Sequence, residues 1–206
     1  MTHTRIFAAL AALAAALLLT SCSSTSPDTA TGGHANHDMT DQTPVITGEP
    51  AAFNADDVSF ATNMIPHHQQ AVELAALVPD RSTNPEMLSL AGQISAAQEP
   101  EIATLKAFLV QWKQGSGSTE NPHTGHGDMA GMVDAATMTR LESLRGTEFD
   151  RLWLQSMIDH HRGAIEMAKA ELAKGQNTDA KALAQAIITA QQSENDQMDK
   201  MLAANP

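Results

Sequence analysis

The chain has 206 residues, of which 24 are acidic and 12 are basic, and its formal net charge is −12. Nucleic acids and anionic lipid surfaces carry charge of the same sign, which excludes them as favoured partners. Cys22 is the only cysteine, so the chain can form no internal disulfide and no thiolate cluster. Any soft-metal chemistry must therefore use the 11 methionines and 9 histidines.

The N-terminal segment has the pattern of a secretory signal. Arg5 precedes an apolar run over residues 6–19, which is too short to span a bilayer comfortably. The tetrapeptide LTSC that ends at Cys22 resembles a bacterial lipobox, in which the cysteine is acylated and becomes the first residue of the mature protein. We predict a lipoprotein signal peptide over residues 1–21, a lipid anchor on Cys22 and a location on the extracytoplasmic face of a bacterial membrane. The alternative is a plain secretory signal with an incidental cysteine.

The next segment, residues 22–50, is rich in Ser, Thr, Gly and Pro and has no apolar periodicity. This composition predicts a flexible tether between the membrane and the rest of the protein. Residues 51–206 have the length of one ordinary domain.

That domain contains an internal repeat. The sequence MIPHHQQAVELA, which begins at Met64, recurs 93 positions later as MIDHHRGAIEMA from Met157. At the same spacing, LAGQISAAQEPEIATL from Leu90 aligns with LAQAIITAQQSENDQM from Leu183. The repeating unit is longer than one helix, so we predict a helical hairpin that occurs twice.

Capping residues and apolar periodicity predict four long helices. They extend over about residues 54–78, 84–112, 147–174 and 177–202, and a short extra helix covers about 135–144. Pro66 lies inside the first of them and predicts a kink just before the first His-His pair. The predicted fold is all-α: an antiparallel four-helix bundle with a ferritin-like crossover. Its parts are repeat 1 (about 54–113), a crossover loop (114–146) and repeat 2 (about 147–204).

Each repeat places the same five polar or soft side chains on inward helix faces. These candidate metal ligands are Met64, His67, His68, Gln98 and Glu101 in the first repeat, and Met157, His160, His161, Gln191 and Glu194 in the second. A carboxylate di-iron protein would carry glutamate three residues before a histidine, where this chain has methionine. A thioether is a soft ligand, which favours copper, as Cu(I), over iron or zinc. The alternative is a buried hydrogen-bond network without metal.

A second candidate metal cluster lies in the predicted crossover loop, where HTGHGDMAGM contains His123, His126, Met129 and Met132. A glycine-rich segment with histidine and methionine could wrap a copper ion, and a low-complexity loop without metal is the alternative. Glu73 and Glu166 are also repeated, but the helical periodicity places both on outward faces, where they are solvated or contact a neighbouring chain, and we assign them no catalytic role.

The two M-I-x-H-H motifs, the stretch FDRLWLQSMIDHHRGAIEMA, the Gln-x-x-Glu helices and the loop GHGDMAGM together resemble a known family. The chain is similar to members of the family catalogued as domain of unknown function 305, over about residues 53–202. The resemblance implies a ferritin-like four-helix fold, frequent export or lipidation and, for some members, copper binding and copper resistance in the bacterial envelope. Leu74 departs from the commonest form, which has methionine there, whereas the second repeat has Met167.

Three functional hypotheses follow from the sequence. The leading one is a membrane-anchored extracytoplasmic protein that sequesters copper or transfers it, with the metal ion and the membrane as partners. The second is a ferritin-like metal-dependent oxidoreductase. The third is a metal-free envelope scaffold that binds another protein or a second copy of this chain.

Overall fold

The computed structural model describes residues 51–116 and 129–204. Within these ranges the only regular secondary structure is helical. The helices are α1 (Ala55–Ala76), α2 (Val78–Arg81), α3 (Pro85–Ser116), α4 (Ala135–Ser143), α5 (Gly146–Lys174) and α6 (Thr178–Ala204). In this described part of the chain, no helix has the length and apolar character needed to cross a membrane.

The first helix begins at the predicted capping box. The side chain of Asn54 accepts hydrogen bonds from the backbone amides of Asp56 and Asp57, and the Asp57 carboxylate accepts one from the Asn54 amide at 2.6 Å. Such a cap stabilises a helix by about 1 kcal/mol. The helix ends at Ala76, slightly earlier than predicted, because Pro79 has no amide hydrogen to continue the helical ladder.

The four long helices form two antiparallel hairpins, α1 with α3 and α5 with α6, and further contacts join α1 to α5 and α3 to α6. At one end of the bundle, the Trp153 indole donates a hydrogen bond to the Leu74 carbonyl at 2.8 Å. At the other end, the side-chain amide of Asn54 (Nδ2) donates to the Lys174 carbonyl at 2.8 Å. Helices α1 and α5 are therefore antiparallel.

This register places the end of α3 and the beginning of α5 at opposite ends of the bundle, as a ferritin-like crossover requires. The prediction of an all-α, antiparallel four-helix bundle is confirmed. The predicted short helix in the crossover is present as α4.

The core consists of two apolar clusters separated by a polar layer. One cluster lies where α5 begins and includes Phe149, Trp153 and Met157. The other lies where α1 begins and includes Phe60 and Met64. The layer midway along the helices contains buried polar side chains, namely His67, His68, Gln98, His160, His161 and Gln191. Buried polar groups destabilise a fold unless they gain hydrogen-bond partners or ligands. This polar layer is therefore the candidate functional site.

A second buried polar contact, which the sequence did not indicate, closes the end of the bundle where α1 begins. The Asp57 carboxylate accepts hydrogen bonds from the backbone amides of Asn54, Gln176 and Asn177 at 2.6–3.1 Å. Burial and a hydrogen bond to Asp57 raise the pKa of the Glu171 carboxyl to about 8. Glu171 is thus mostly protonated at neutral pH and shares its proton with Asp57, which ties α5 to the start of α1.

Candidate metal centre

The two repeats meet through one histidine from each. His67 on α1 and His160 on α5 are fully buried, and their ring centroids are 3.8 Å apart with an angle of 40° between the rings. We call these two residues the inner histidines. They occupy the same position in the repeat, so the pseudo-twofold relation between the hairpins brings equivalent side chains into contact.

The second histidine of each pair contacts a glutamate of its own hairpin. His68 Nε2 lies 2.8 Å from Glu101 Oε2, and His161 Nε2 lies 2.7 Å from Glu194 Oε2. We call His68 and His161 the outer histidines. An ionised carboxylate only accepts hydrogen bonds, so it selects the tautomer with hydrogen on Nε2 and leaves the Nδ1 lone pair free. Carboxylates orient metal-binding histidines in the same way in many proteins.

The imidazole nitrogens that remain are buried and lack partners among the described residues. They are the Nδ1 atoms of all four histidines and the Nε2 atom of His160. A buried nitrogen without a hydrogen bond lowers the free energy of unfolding, and coordination of a metal by that nitrogen would remove this penalty. Each neutral ring has one nitrogen lone pair, so the four histidines can offer up to four lone pairs to a metal in this layer.

Burial keeps the inner histidines neutral. Loss of hydration, followed by repulsion from His68, lowers the pKa of His67 to about 4. Burial and repulsion from His67 lower the pKa of His160 well below its usual 6.5. Both rings are consequently neutral at neutral pH, with hydrogen on one nitrogen and a lone pair on the other. This is the form in which imidazole binds metals.

The repeated methionines lie one turn before the inner histidines on the same helix face. Met64 and Met157 are completely buried. Within the described ranges, no three His, Cys, Asp or Glu side chains form a group ready to hold a metal ion. A metal at the centre would therefore draw on the thioethers of Met64 and Met157 as well as on imidazole nitrogens.

The remaining predicted ligands of the bundle lie close by on α3 and α6. Gln98 and Gln191 are buried, and their side-chain amides have no partner among the described groups. Glu101 and Glu194 are half-buried and face the outer histidines. Each of these two glutamates thus lies within hydrogen-bonding distance of an outer histidine of its own hairpin.

The predicted loop cluster is only partly described. His123 and His126 lie outside the described residues, whereas Met129 and Met132 are half-buried. Glu73 and Glu166 are exposed, as predicted, and Glu166 pairs with Lys169 at 2.8 Å.

Sequence reasoning missed the residues that hold the end of this loop against the bundle. The side chain of Gln70 makes two hydrogen bonds of 2.8 Å to the backbone of Val133, and His67 Nε2 lies 3.3 Å from the Ala130 carbonyl oxygen. A difference between the repeats could have revealed them, because the position equivalent to Gln70 is Gly163.

Several proteins of known structure are similar to this chain in sequence and fold. A crystal structure of a DUF305 protein from Streptomyces coelicolor is 34% identical, with a TM-score of 0.65, and the match covers 73% of this chain and 93% of that chain. A DUF305 fragment from Deinococcus radiodurans is 32% identical, with a TM-score of 0.64 and coverage of 75% and 99%.

A third relative is CopM in its Cu(I)-bound form, which is 28% identical, with a TM-score of 0.60 and coverage of 72% of this chain and 96% of that chain. CopM has also been solved in Ag-bound and Cu(II)-bound forms. The search of curated proteins found no match. The family model described as "Domain of unknown function (DUF305)" matches residues 57–202. The chain therefore belongs to the DUF305 family.

Proposed function

We propose that this protein binds Cu(I) between its two repeats and sequesters it or hands it on outside the cytoplasm. The observation that carries the proposal is the set of four buried histidines, whose Nδ1 atoms all lack a hydrogen-bond partner among the described groups. Two buried methionines, Met64 and Met157, lie one turn away from the inner histidines.

The chemistry of these groups supports copper over iron. Thioethers are soft ligands that select Cu(I), and neutral imidazole also binds copper. The carboxylates that a di-iron site would need as ligands are Glu101 and Glu194, and both are hydrogen-bonded to the outer histidines. A bound Cu(I) ion would be held by two to four of these donors, drawn from the thioethers of Met64 and Met157 and the histidine Nδ1 atoms.

The relatives also support a soft metal. CopM, at 28% identity, has been solved with Cu(I) and with silver, which is a soft monovalent ion like Cu(I). The extracytoplasmic location rests on the N-terminal sequence pattern, and we propose that a lipid on Cys22 anchors the protein to the membrane.

A competition titration tests this proposal. We expect the purified protein, under reducing conditions and in competition with a chromophoric Cu(I) chelator, to retain at least about one Cu(I) ion per chain, because soft-metal sites of this kind favour Cu(I). Ag(I) should compete for the site, and Fe(II) should not.

The variant with both His123→Gln and His126→Gln is the matched control, because it removes the loop histidines and leaves the bundle unchanged. It should retain the tightest Cu(I) ion. Binding of less than one ion per chain by the unaltered protein, or loss of the tight ion from the loop variant, would contradict the proposal.

A further inference from the structure

The segment Met129–Val133, which we call the cap, lies directly over the inner histidines. The Ala130 carbonyl oxygen lies 3.3 Å from His67 Nε2. Gly131 has a φ of +85°, and a Cβ atom on it would come within 3.0 Å of the backbone carbonyl oxygen of His160. The cap thus contacts one inner histidine by a hydrogen bond and runs close against the backbone of the other.

Two residues at equivalent positions of the repeats hold the cap. On α1, Gln70 Oε1 accepts a hydrogen bond from the Val133 amide, and Gln70 Nε2 donates one to the Val133 carbonyl, each at 2.8 Å. On α5, Gly163 lies so close to the cap that a Cβ atom would overlap the carbonyl of Ala130. Gln70 of the first repeat binds the cap through two hydrogen bonds, and Gly163 of the second repeat leaves space for it because it has no side chain.

This pair explains why the duplicated motif is not symmetric at this position. Glutamine in both repeats would leave no room for Ala130 and Gly131 on α5. Glycine in both repeats would remove the two hydrogen bonds to Val133. The two halves of the centre are otherwise related by a pseudo-twofold axis. The combination of Gln70 and Gly163 lets a single cap lie across both halves.

We propose that the cap controls how fast Cu(I) leaves the histidine centre, and that Gln70 and Gly163 are the positioning residues that keep it closed. The inference rests on the proposed function, because it assumes that Cu(I) binds in the buried layer that contains the inner histidines. The cap packs against α1 and α5 beside that layer, and the Ala130 carbonyl contacts it at His67. Release of the ion therefore requires the cap to lift from α1 and α5.

The experiment measures cap opening and metal release separately. The variants are Gln70→Ala, which removes both hydrogen bonds to Val133, and Gly163→Ala, which adds a Cβ atom that would overlap the Ala130 carbonyl. Their matched controls are Gln69→Ala, at an exposed neighbouring position, and Gly92→Ala, at a helix position where an added Cβ atom meets nothing within 4 Å. Cap opening is read as hydrogen exchange of the Val133 amide in metal-free protein.

Metal release is read as the rate at which Cu(I)-loaded protein transfers its ion to excess chelator. In Gln70→Ala we expect both rates to rise by about tenfold or more, the effect of two lost hydrogen bonds. In Gly163→Ala we expect a change in the same direction, and in the two controls we expect rates close to those of the unaltered protein. If Gly163→Ala fails to fold, Gln70→Ala carries the test alone.

Two results would overturn the inference and are distinguishable. Faster Val133 exchange with an unchanged rate of Cu(I) release would show that the cap is structural only, while the proposed function would stand. Failure of the unaltered protein to bind Cu(I) would remove the proposed function and the control of release together.

Discussion

Replacement of both inner histidines, His67→Gln together with His160→Gln, is expected to weaken Cu(I) binding by about 100-fold or more. Loss of groups that only orient metal ligands typically costs 10-fold to 100-fold in affinity, so loss of two ligands should cost at least as much. Glutamine is polar and similar in size to histidine, but its amide nitrogen is not a metal ligand. The variant therefore tests imidazole chemistry with little change in the volume of the layer.

Competition titration measures the affinity, and circular dichroism of the metal-free protein shows whether the variant is folded. The double variant His123→Gln with His126→Gln serves as the control, because it removes the same number of histidines from the loop. If the inner-histidine variant has altered stability but binds Cu(I) as tightly as the unaltered protein, the inner histidines are not ligands and belong to a hydrogen-bond network. If neither protein binds Cu(I), the bundle is a metal-free scaffold.

Glu171→Gln is expected to stabilise the protein above pH 7 and to have little effect near pH 5. In the folded protein the pKa of Glu171 is raised from its usual 4.5 to about 8. Between these values the folded chain binds a proton that the unfolded chain has released, so the free energy of unfolding falls as the pH rises. Glutamine resembles the protonated carboxyl in shape, can donate a hydrogen bond to Asp57 and has no proton to lose.

Burial is the largest cause of the raised pKa of Glu171, and the charged groups that face it add smaller contributions. Asp57 and Asp56 on α1 raise its pKa by repulsion, and Lys181 on α6 lowers it. A surface cleft lined by Glu171, Asp56 and Lys174 lies beside this contact, and the Glu171 carboxylate oxygens themselves are buried. We therefore expect Glu171→Gln to be more stable than the unaltered protein by about 2 kcal/mol at pH 8, less than the full shift would imply.

Urea unfolding at pH 5, 6, 7 and 8 measures this difference. Glu166→Gln, at an exposed position on the same helix, is the control and should follow the unaltered protein at every pH. If the free energies of unfolding of Glu171→Gln and the unaltered protein differ by the same amount at every pH in this range, Glu171 does not share a proton with Asp57.

The sequence predicted the bundle because the repeat, the capping box at Asn54 and the helical periodicity all indicate the same structure. It could not predict which inward residue of α1 meets which residue of α5, because periodicity defines a face and not a register. The sequence therefore left open whether the two His-His pairs form one site or two. The structure brings His67 and His160 to a centroid distance of 3.8 Å, so one histidine of each pair contacts its equivalent in the other repeat.

The surroundings of that centre were harder to predict. The sequence placed Glu101 and Glu194 on the same inward faces as the other candidate ligands, but it contains no information on which neighbour each carboxylate would contact. The cap depends on a contact between residues 63 positions apart, Gln70 and Val133, and no local pattern encodes it. The proton shared by Asp57 and Glu171 likewise depends on tertiary contact between α1 and α5.

The central claim is that methionine and histidine of the bundle bind Cu(I) together. X-ray absorption of the Cu(I)-loaded protein at the copper edge tests this claim most directly, because sulfur and nitrogen ligands scatter differently. We expect both kinds of ligand in the unaltered protein and in Met87→Leu, a control at a buried methionine of the apolar core. We expect the sulfur contribution to fall sharply in Met64→Leu with Met157→Leu, and a spectrum that this double variant leaves unchanged would contradict the account.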